Sequence, residues 1–298
     1  MTHYRNTFGY RFSSIIQSIE AAFYGLTEVS LDVDGLETSF YRSKDVYLDK
    51  PTIVLLHGFS ADKKVWLRFS RHLGNKYNII IPDLAGHGKT PYLQTNSHTI
   101  SDQAERVVHL LQKLQIPQFH IIGNSMGGFI SAHLSVHNPD NILSACLMDP
   151  AGVFPTTLSK MDYLVQEGKN PFYISSKLDF ERFYKMTMAK PPFVPKFVLN
   201  SFALEYQSKI NQLKHIFSEF TESKGFLGDQ LDKINCPTLI LWGAKDELLH
   251  VDTANIWHKE IKQSELTIWP EIGHMPMLEI AKKSAKRYQQ FLTDNGIN

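Results

Sequence analysis

Three polar residues of this chain have types and an order suited to nucleophilic catalysis: Ser125, Asp246 and His274. Serine is a weak nucleophile until a base takes its proton. Histidine can take it near neutral pH, and a carboxylate on the second ring nitrogen fixes the tautomer and steadies the imidazolium. Ser125 stands in Gly123-Asn124-Ser125-Met126-Gly127, which fits G-x-S-x-G. A serine on a sharp strand-to-helix turn holds a strained backbone, so the residues two before and two after it must lack bulk. The backbone N–H of Met126, just after the serine, and that of Phe59, just after His57-Gly58, are the candidate oxyanion donors. Losing one such donor typically costs about 3–4 kcal/mol of transition-state stabilisation. Asp149 competes for the role of acid, but Asp246 is preferred because it follows the next strand and a Gly-containing turn. Asp83 reads as a residue that holds its own loop together. The candidate substrate contacts are His57, Gly58, Phe154, Phe183, Met186 and Met275, although the favoured role of His57, as of His87, is hydrogen bonding within its loop. His133 and His137 lie four apart, yet no Glu follows His133, so no metal site is expected there or elsewhere. No cofactor is expected either.

These residues need elements to position them. An apolar run, Phe119-His120-Ile121-Ile122, leads into the serine pentapeptide and an amphipathic run follows it. Thr52-Ile53-Val54-Leu55-Leu56 is a continuous apolar run of the kind that forms a buried parallel strand, and it breaks at His57-Gly58-Phe59-Ser60. Asn78-Ile79-Ile80-Ile81 ends in the turn formers Pro82–Gly88, and Ile142–Met148 closes on Asp149-Pro150-Ala151-Gly152. Further on, Pro237–Trp242 ends in Gly243-Ala244-Lys245-Asp246, and Glu265–Trp269 runs into Gly273-His274. Helical patterns separate these strands, at about 101–115, 252–261 and 277–292. Alternating strands and helices predict a parallel, doubly wound sheet whose ligand crevice lies at the C-terminal strand ends. Ahead of it, Val29–Val33 and Leu36–Tyr41 flank Asp34-Gly35, a hairpin signal.

The alternation stops between residues 153 and 231. This stretch is rich in Phe, Tyr and Met, is punctuated by Pro171, Pro191, Pro192 and Pro195, and contains no convincing strand. It reads as an inserted helical cap between two parts of one core, 1–152 and 232–298, and its place beside the catalytic loops favours a water-excluding lid. Residues 10–26 carry Phe12, Ile15, Ile16, Ile19, Phe23 and Leu26 at helical spacing. The favoured reading docks that apolar face on the protein's own domain. The competing one rests it on a lipid surface as a peripheral contact, although Arg11 is the only basic residue within the helix.

With 31 basic and 30 acidic residues the net charge is +1, and no long basic run points to nucleic acid. Cys146 and Cys236 read as buried thiols rather than a disulfide or a metal site. The pattern of a signal peptide is absent and no apolar run is long enough to span a bilayer, so the chain reads as cytoplasmic, with membrane association as the alternative.

The chain resembles the α/β-hydrolases over essentially its whole length. Within them it is most similar to the lipases of the Moraxella–Psychrobacter type and to monoacylglycerol lipases with an α/β-hydrolase domain. The matching stretches are Leu55–Ala61 followed by Trp66, then Gly123–Gly128, Pro150-Ala151-Gly152, Trp242–Asp246 and Gly273-His274. The resemblance implies an α/β-hydrolase fold and acyl-ester hydrolysis on glycerolipids, with Ser125, Asp246 and His274 as triad and the Phe59 and Met126 amides as oxyanion hole. From the cap's composition together with the resemblance, the expected substrates are medium-chain monoacylglycerols or related acyl esters. Two rivals share the fold: a carbon–carbon bond hydrolase of meta-cleavage products, and a non-enzymatic ligand receptor. The first of these usually has a Trp soon after the catalytic His and a cap arginine for an acidic substrate. Here Met275-Pro276-Met277 follows His274, and the cap's only arginine is Arg182.

Overall fold

A computed structural model describes residues 3–47, 49–222 and 227–297. Eight strands, β1 (Leu26–Val33), β2 (Leu36–Ser43), β3 (Thr52–Leu56), β4 (Asn78–Pro82), β5 (Phe119–Asn124), β6 (Ile142–Met148), β7 (Thr238–Gly243) and β8 (Ser264–Trp269), form one sheet in the order β1-β2-β4-β3-β5-β6-β7-β8. The β1–β2 and β2–β4 pairs are antiparallel, and every other neighbouring pair is parallel. The β1–β2 hairpin turns at Asp34 and Gly35, whose φ values of 53° and 80° suit the right-handed twist of the flanking strands.

Eleven α-helices accompany the sheet among the described residues: α1 (Phe8–Phe23), α2 (Leu67–Arg71), α3 (Ile100–Lys113), α4 (Met126–His137), α5 (Lys160–Gln166), α6 (Lys177–Thr187), α7 (Lys196–Ser208), α8 (Ile210–Glu222), α9 (Thr253–Glu260), α10 (Pro276–Glu279) and α11 (Ala281–Asp294). Because side chains alternate along a strand, the uniformly apolar β3 feeds two cores. Ile53 and Leu55 pack with Tyr288 and Phe291 on one face, and Val54 and Leu56 with Phe129 and Ile130 on the other. Each such buried side chain stabilises by roughly 1.5–3 kcal/mol. Helices α5 to α8 all fall between β6 and β7, and the described residues of 153–231 contain no strand.

Three details differ from the sequence reading. α1 does dock on the domain, but through Gly9, Ser13 and Ala21, which are its buried residues. A Cβ on Gly9 would come within 2.3 Å of the Phe197 carbonyl oxygen, so the contact with α7 is a backbone approach between small residues. The apolar face faces outward, with Ile15 60%, Ile19 61% and Phe23 78% exposed. Next, the last helical pattern is broken: Ile280 leaves the helical region (φ −136°, ψ 44°) between α10 and α11. At the break Glu279 turns back to accept N–H bonds from Gly273 (2.8 Å) and Lys190 (2.6 Å). Finally, Cys236 lies just ahead of β7 and is only partly buried, whereas Cys146 is buried inside β6.

Packing is very close at the β5–α4 junction, where a Cβ on Gly123 would lie 2.0 Å from the Gly127 carbonyl oxygen. Gly123→Ala is expected to destabilise the fold by at least about 3 kcal/mol, the upper part of the overpacking range, because backbone cannot swing aside. Thermal unfolding checks this, and an unchanged melting temperature would mean that the junction has room to spare.

Candidate active site

Ser125 closes β5 and opens α4 with φ 56° and ψ −118°, a left-handed conformation that costs a non-glycine residue about 1–3 kcal/mol. The turn is over-determined. Its N–H donates to the Met148 carbonyl oxygen (3.0 Å), and its own carbonyl accepts from Phe129 (3.0 Å) and Ala151 (3.1 Å). α4 lies against β3 so closely that a Cβ on Gly127 would sit 2.3 Å from the Leu56 carbonyl oxygen. The glycines two before and two after the serine are therefore the ones the approach demands.

His274 and Asp246 are buried and joined. His274 Nδ1 lies 2.6 Å from Asp246 Oδ2, and Asp246 Oδ1 accepts from the N–H groups of Leu248 (2.8 Å) and Leu249 (3.0 Å). These contacts engage both oxygens of the carboxylate and leave the His274 Nε2 as the ring nitrogen available to the serine. Asn124, the neighbour of Ser125, donates to the His274 carbonyl oxygen (2.9 Å) and ties the β5 and β8 ends together. Neither Asn124 nor Glu279 was picked out from the sequence. The available signal was a buried polar residue ending the otherwise apolar β5, beside the serine; Glu279 gave none.

Met126 is the first residue of α4, so its N–H has no partner within the helix. Gly58 abuts the serine, since a Cβ there would be 3.1 Å from Ser125 Cβ. That brings the Gly58–Phe59 backbone alongside the candidate nucleophile. His57 holds this loop: Nδ1 pairs with the Gly58 carbonyl oxygen (2.8 Å) while Nε2 accepts the Leu84 N–H (3.0 Å). Burial lowers its pKa, which keeps the ring neutral and able to accept. Asp83 holds its own loop, as expected, by accepting the N–H groups of Lys63 (2.8 Å) and Lys89 (2.8 Å).

Ser125 and His274 open into one cavity of about 410 Å³, a size typical of small-molecule sites. Gly58, Phe183 and Met275 line it, as the sequence reading expected. The other three expected contacts fall elsewhere. His57 is fully buried with both ring nitrogens engaged, and Phe154 is 68% exposed and outside the lining. Met186 packs in the core, because the α6 stripe that faces the cavity is Phe180, Phe183, Tyr184 and Thr187 and Met186 lies off it. What the sequence did not reveal is that α1 supplies one wall of the cavity through Phe12 and Ile16.

Among the described residues, the one grouping with metal-type donors close together is Asp149, Asp246 and His274, one donor atom of each lying within 4.8 Å of the others. The bonds from His274, Leu248 and Leu249 to Asp246, and from the Gly243 N–H to Asp149 (2.9 Å), already engage those groups. The arrangement suits a histidine held by a carboxylate better than an ion.

A family profile described as the alpha/beta hydrolase fold matches residues 51–280. Lipase 3 of Moraxella sp. (strain TA144) is 33% identical over 270 residues, which cover 88% of this chain and 83% of that one. Monoacylglycerol lipase ABHD6 of Mus musculus is 29% identical over 262 residues, covering 83% and 78%. Among solved structures, a membrane phospholipase A described as a bacterial virulence factor superposes with a TM-score of 0.92 at 31% identity, over 97% of this chain and 92% of that one.

The geometry generates a test of the acid. Asp246→Asn should lower kcat by about 10⁴, the order found when such a carboxylate is neutralised and the histidine adopts the wrong tautomer. Steady-state turnover of a p-nitrophenyl ester measures this, and a loss below tenfold would move the acid elsewhere.

Proposed function

This chain belongs to the α/β-hydrolase fold family and is an ester hydrolase of the lipase and esterase type; from that premise we propose that Ser125, His274 and Asp246 cleave medium-chain acylglycerols, monoacylglycerols among them, drawn from a lipid surface. The observation that carries the reading is a strained serine sharing one largely apolar cavity with a histidine whose Nδ1 is held by a buried carboxylate.

His274 Nε2 takes the Ser125 hydroxyl proton as Oγ attacks the ester carbonyl, and the imidazolium is steadied by Asp246. The N–H groups of Met126 and Phe59 receive the oxyanion, helped by the N-terminal end of α4. His274 then returns the proton to the departing alcohol oxygen, leaving an acyl-enzyme. Water repeats the sequence and releases the acid. Residues 153–231 act as the cap of a core made of 1–152 and 232–298: Phe172, Phe180 and Phe183 from the cap form the apolar wall opposite the catalytic residues. Arg182 is exposed and outside that wall, so the charge a meta-cleavage substrate would need from the cap's arginine is not presented.

The route in follows from α1. Phe12 and Ile16 belong both to the cavity lining and to the outward apolar face, and Phe193, 91% exposed, lines the cavity too. Phe8, Phe12 and Phe197 cluster with ring centroids 5.4 to 5.9 Å apart. An apolar helix face continuous with an apolar cavity suits peripheral contact with lipid, from which an acyl chain can pass into the site without crossing water. No helix among the described residues is long and apolar enough to cross a membrane.

Two outcomes are expected. Each CH₂ buried is worth roughly 0.8 kcal/mol, less the cost of ordering the chain. Hence kcat/KM should rise from acetyl to esters of about eight carbons, and monoacylglycerols should be hydrolysed; a profile that falls steadily from acetate would leave a small-ester hydrolase. The double variant Ile15→Asp, Ile19→Asp, which touches the outward face and not the cavity, should cut binding to phosphatidylcholine vesicles about tenfold or more while sparing a soluble short-chain ester. Unchanged sedimentation with vesicles would remove the lipid surface from the account.

A further inference from the structure

We propose that Asp149 is a positioning residue whose protonated carboxyl donates a hydrogen bond to the Asp246 carboxylate and thereby fixes the group that orients His274. The inference rests on the assignment of Ser125, His274 and Asp246 above, and deepens it.

Asp149 follows β6 directly, has φ 43° and is wholly buried. Its N–H donates to the Leu241 carbonyl oxygen (2.9 Å), and its Oδ1 accepts the Gly243 N–H (2.9 Å), so it clamps the end of β7, from which the Asp246 loop departs. Its Oδ2 is buried and receives no hydrogen bond from any donor. One donor-type atom of Asp149 lies within 4.8 Å of those of both Asp246 and His274. Two buried carboxyls this close cannot both be ionised without a large electrostatic cost, so the pair keeps a proton.

Which carboxyl carries it follows from the donors around each. Asp246 accepts three hydrogen bonds, from Leu248, Leu249 and His274. Each of these favours the charged form. Asp149 accepts one, and its second oxygen is left over. A hydroxyl on that oxygen pointing at Asp246 satisfies both groups, whereas a bare carboxylate there would be buried without a partner. The charges acting on Asp149 are consistent with this. Burial first, then the negative charges of Asp246 and Glu279, push its carboxyl well above the usual carboxylate range, and the Gly243 N–H only partly offsets them. The remaining titratable neighbour is His274, whose Nδ1 is turned to Asp246.

The role has a pH signature. A carboxyl whose folded pKa is raised contributes fully below its unfolded value and loses that contribution as pH rises through the folded one. Above that point Asp149 would become a second anion beside Asp246, the donor would be gone, and the hold on His274 would slacken. kcat should therefore decline on the alkaline side for a reason separate from the histidine.

Asparagine keeps the shape and a donor but cannot ionise. Asp149→Asn should retain kcat within about threefold and lose the alkaline decline, while Asp149→Ala should lower kcat about 10–100-fold, the range for a lost hydrogen bond to a charged group, with little change in KM. Infrared spectroscopy of the resting protein reads the proton without reference to activity or to the fate of the alanine variant. A protonated carboxylic C=O stretch should be present at neutral pH in the wild type and missing in Asp149→Asn. Absence of that band in the wild type, or an Asp149→Asn variant as inactive as Asp246→Asn, would overturn the proposal. Covalent labelling of Ser125 by a fluorophosphonate checks the nucleophile on its own, so the two readings fail separately.

Discussion

The backbone of α4 passes so close to β3 that a Cβ on Gly127 would come within 2.3 Å of the Leu56 carbonyl oxygen, and the geometry around Ser125 follows from that approach. With Gly123 against Gly127 on one side and Gly58 against Ser125 on the other, there is no room for an alternative path of the chain. The serine is left in a conformation that costs about 1–3 kcal/mol, sustained by hydrogen bonds to β6 and its loop. The same region brings the loop after β3 against Ser125, since a Cβ on Gly58 would lie 3.1 Å from Ser125 Cβ. The strain at Ser125 and the closeness of the Gly58 backbone to it are thus two consequences of one packing constraint.

Polar contacts finish the job the packing starts. The loop after β3 is tied to the loop after β4 twice, by His57 reaching Leu84 and by Lys63 reaching Asp83. Lys63 is 1% exposed and also meets Ser39 (3.0 Å) and Glu28 (3.0 Å). Such a buried ion pair spends much of its attraction on desolvation, so its value here is positional rather than a gain in stability. On the far side, Asn124 and Glu279 hold the backbone around His274, and Asp149 binds the β7 end that precedes Asp246. The segments that carry Ser125, Asp246 and His274 are therefore each fastened at more than one point, the hold that the proposed catalysis needs.

Much of this was legible in the sequence where one rule dominates. A run such as Thr52–Leu56, apolar from Ile53 onward, has only a doubly covered strand to form, and its bounds come out as expected. Asp34-Gly35 dictates its turn by backbone sterics alone. The order Ser125, Asp246, His274 could be picked out because each follows a strand-like run, and parallel topology gathers the C-terminal ends of such runs at one edge of the sheet. What periodicity cannot give is the identity of a neighbour. α1 shows an apolar stripe, but its closest approach to α7 is made by Gly9, with Phe12 of the stripe against Phe197, and nothing local says so. Met186 and Phe154 have the right chemistry for an acyl pocket, yet helix phase turns one into the core and loop path leaves the other in solvent. Of the two roles open to His57, the loop hydrogen bonding is the one the structure shows, with both ring nitrogens consumed in shaping the site's edge. The number of donors that reach Asp149 and Asp246 also separates them, and that is a property of the folded chain.

The most direct test is to find where the acyl group rests during turnover. A brief reaction with a p-nitrophenyl ester of medium chain length, quenched in acid and digested, can be mapped by tandem mass spectrometry. The account predicts an acyl adduct on the peptide carrying Ser125, absent from Ser125→Ala, with acylation of that residue matching the burst of p-nitrophenol. An adduct on any other residue, or a burst that survives in Ser125→Ala, would contradict it.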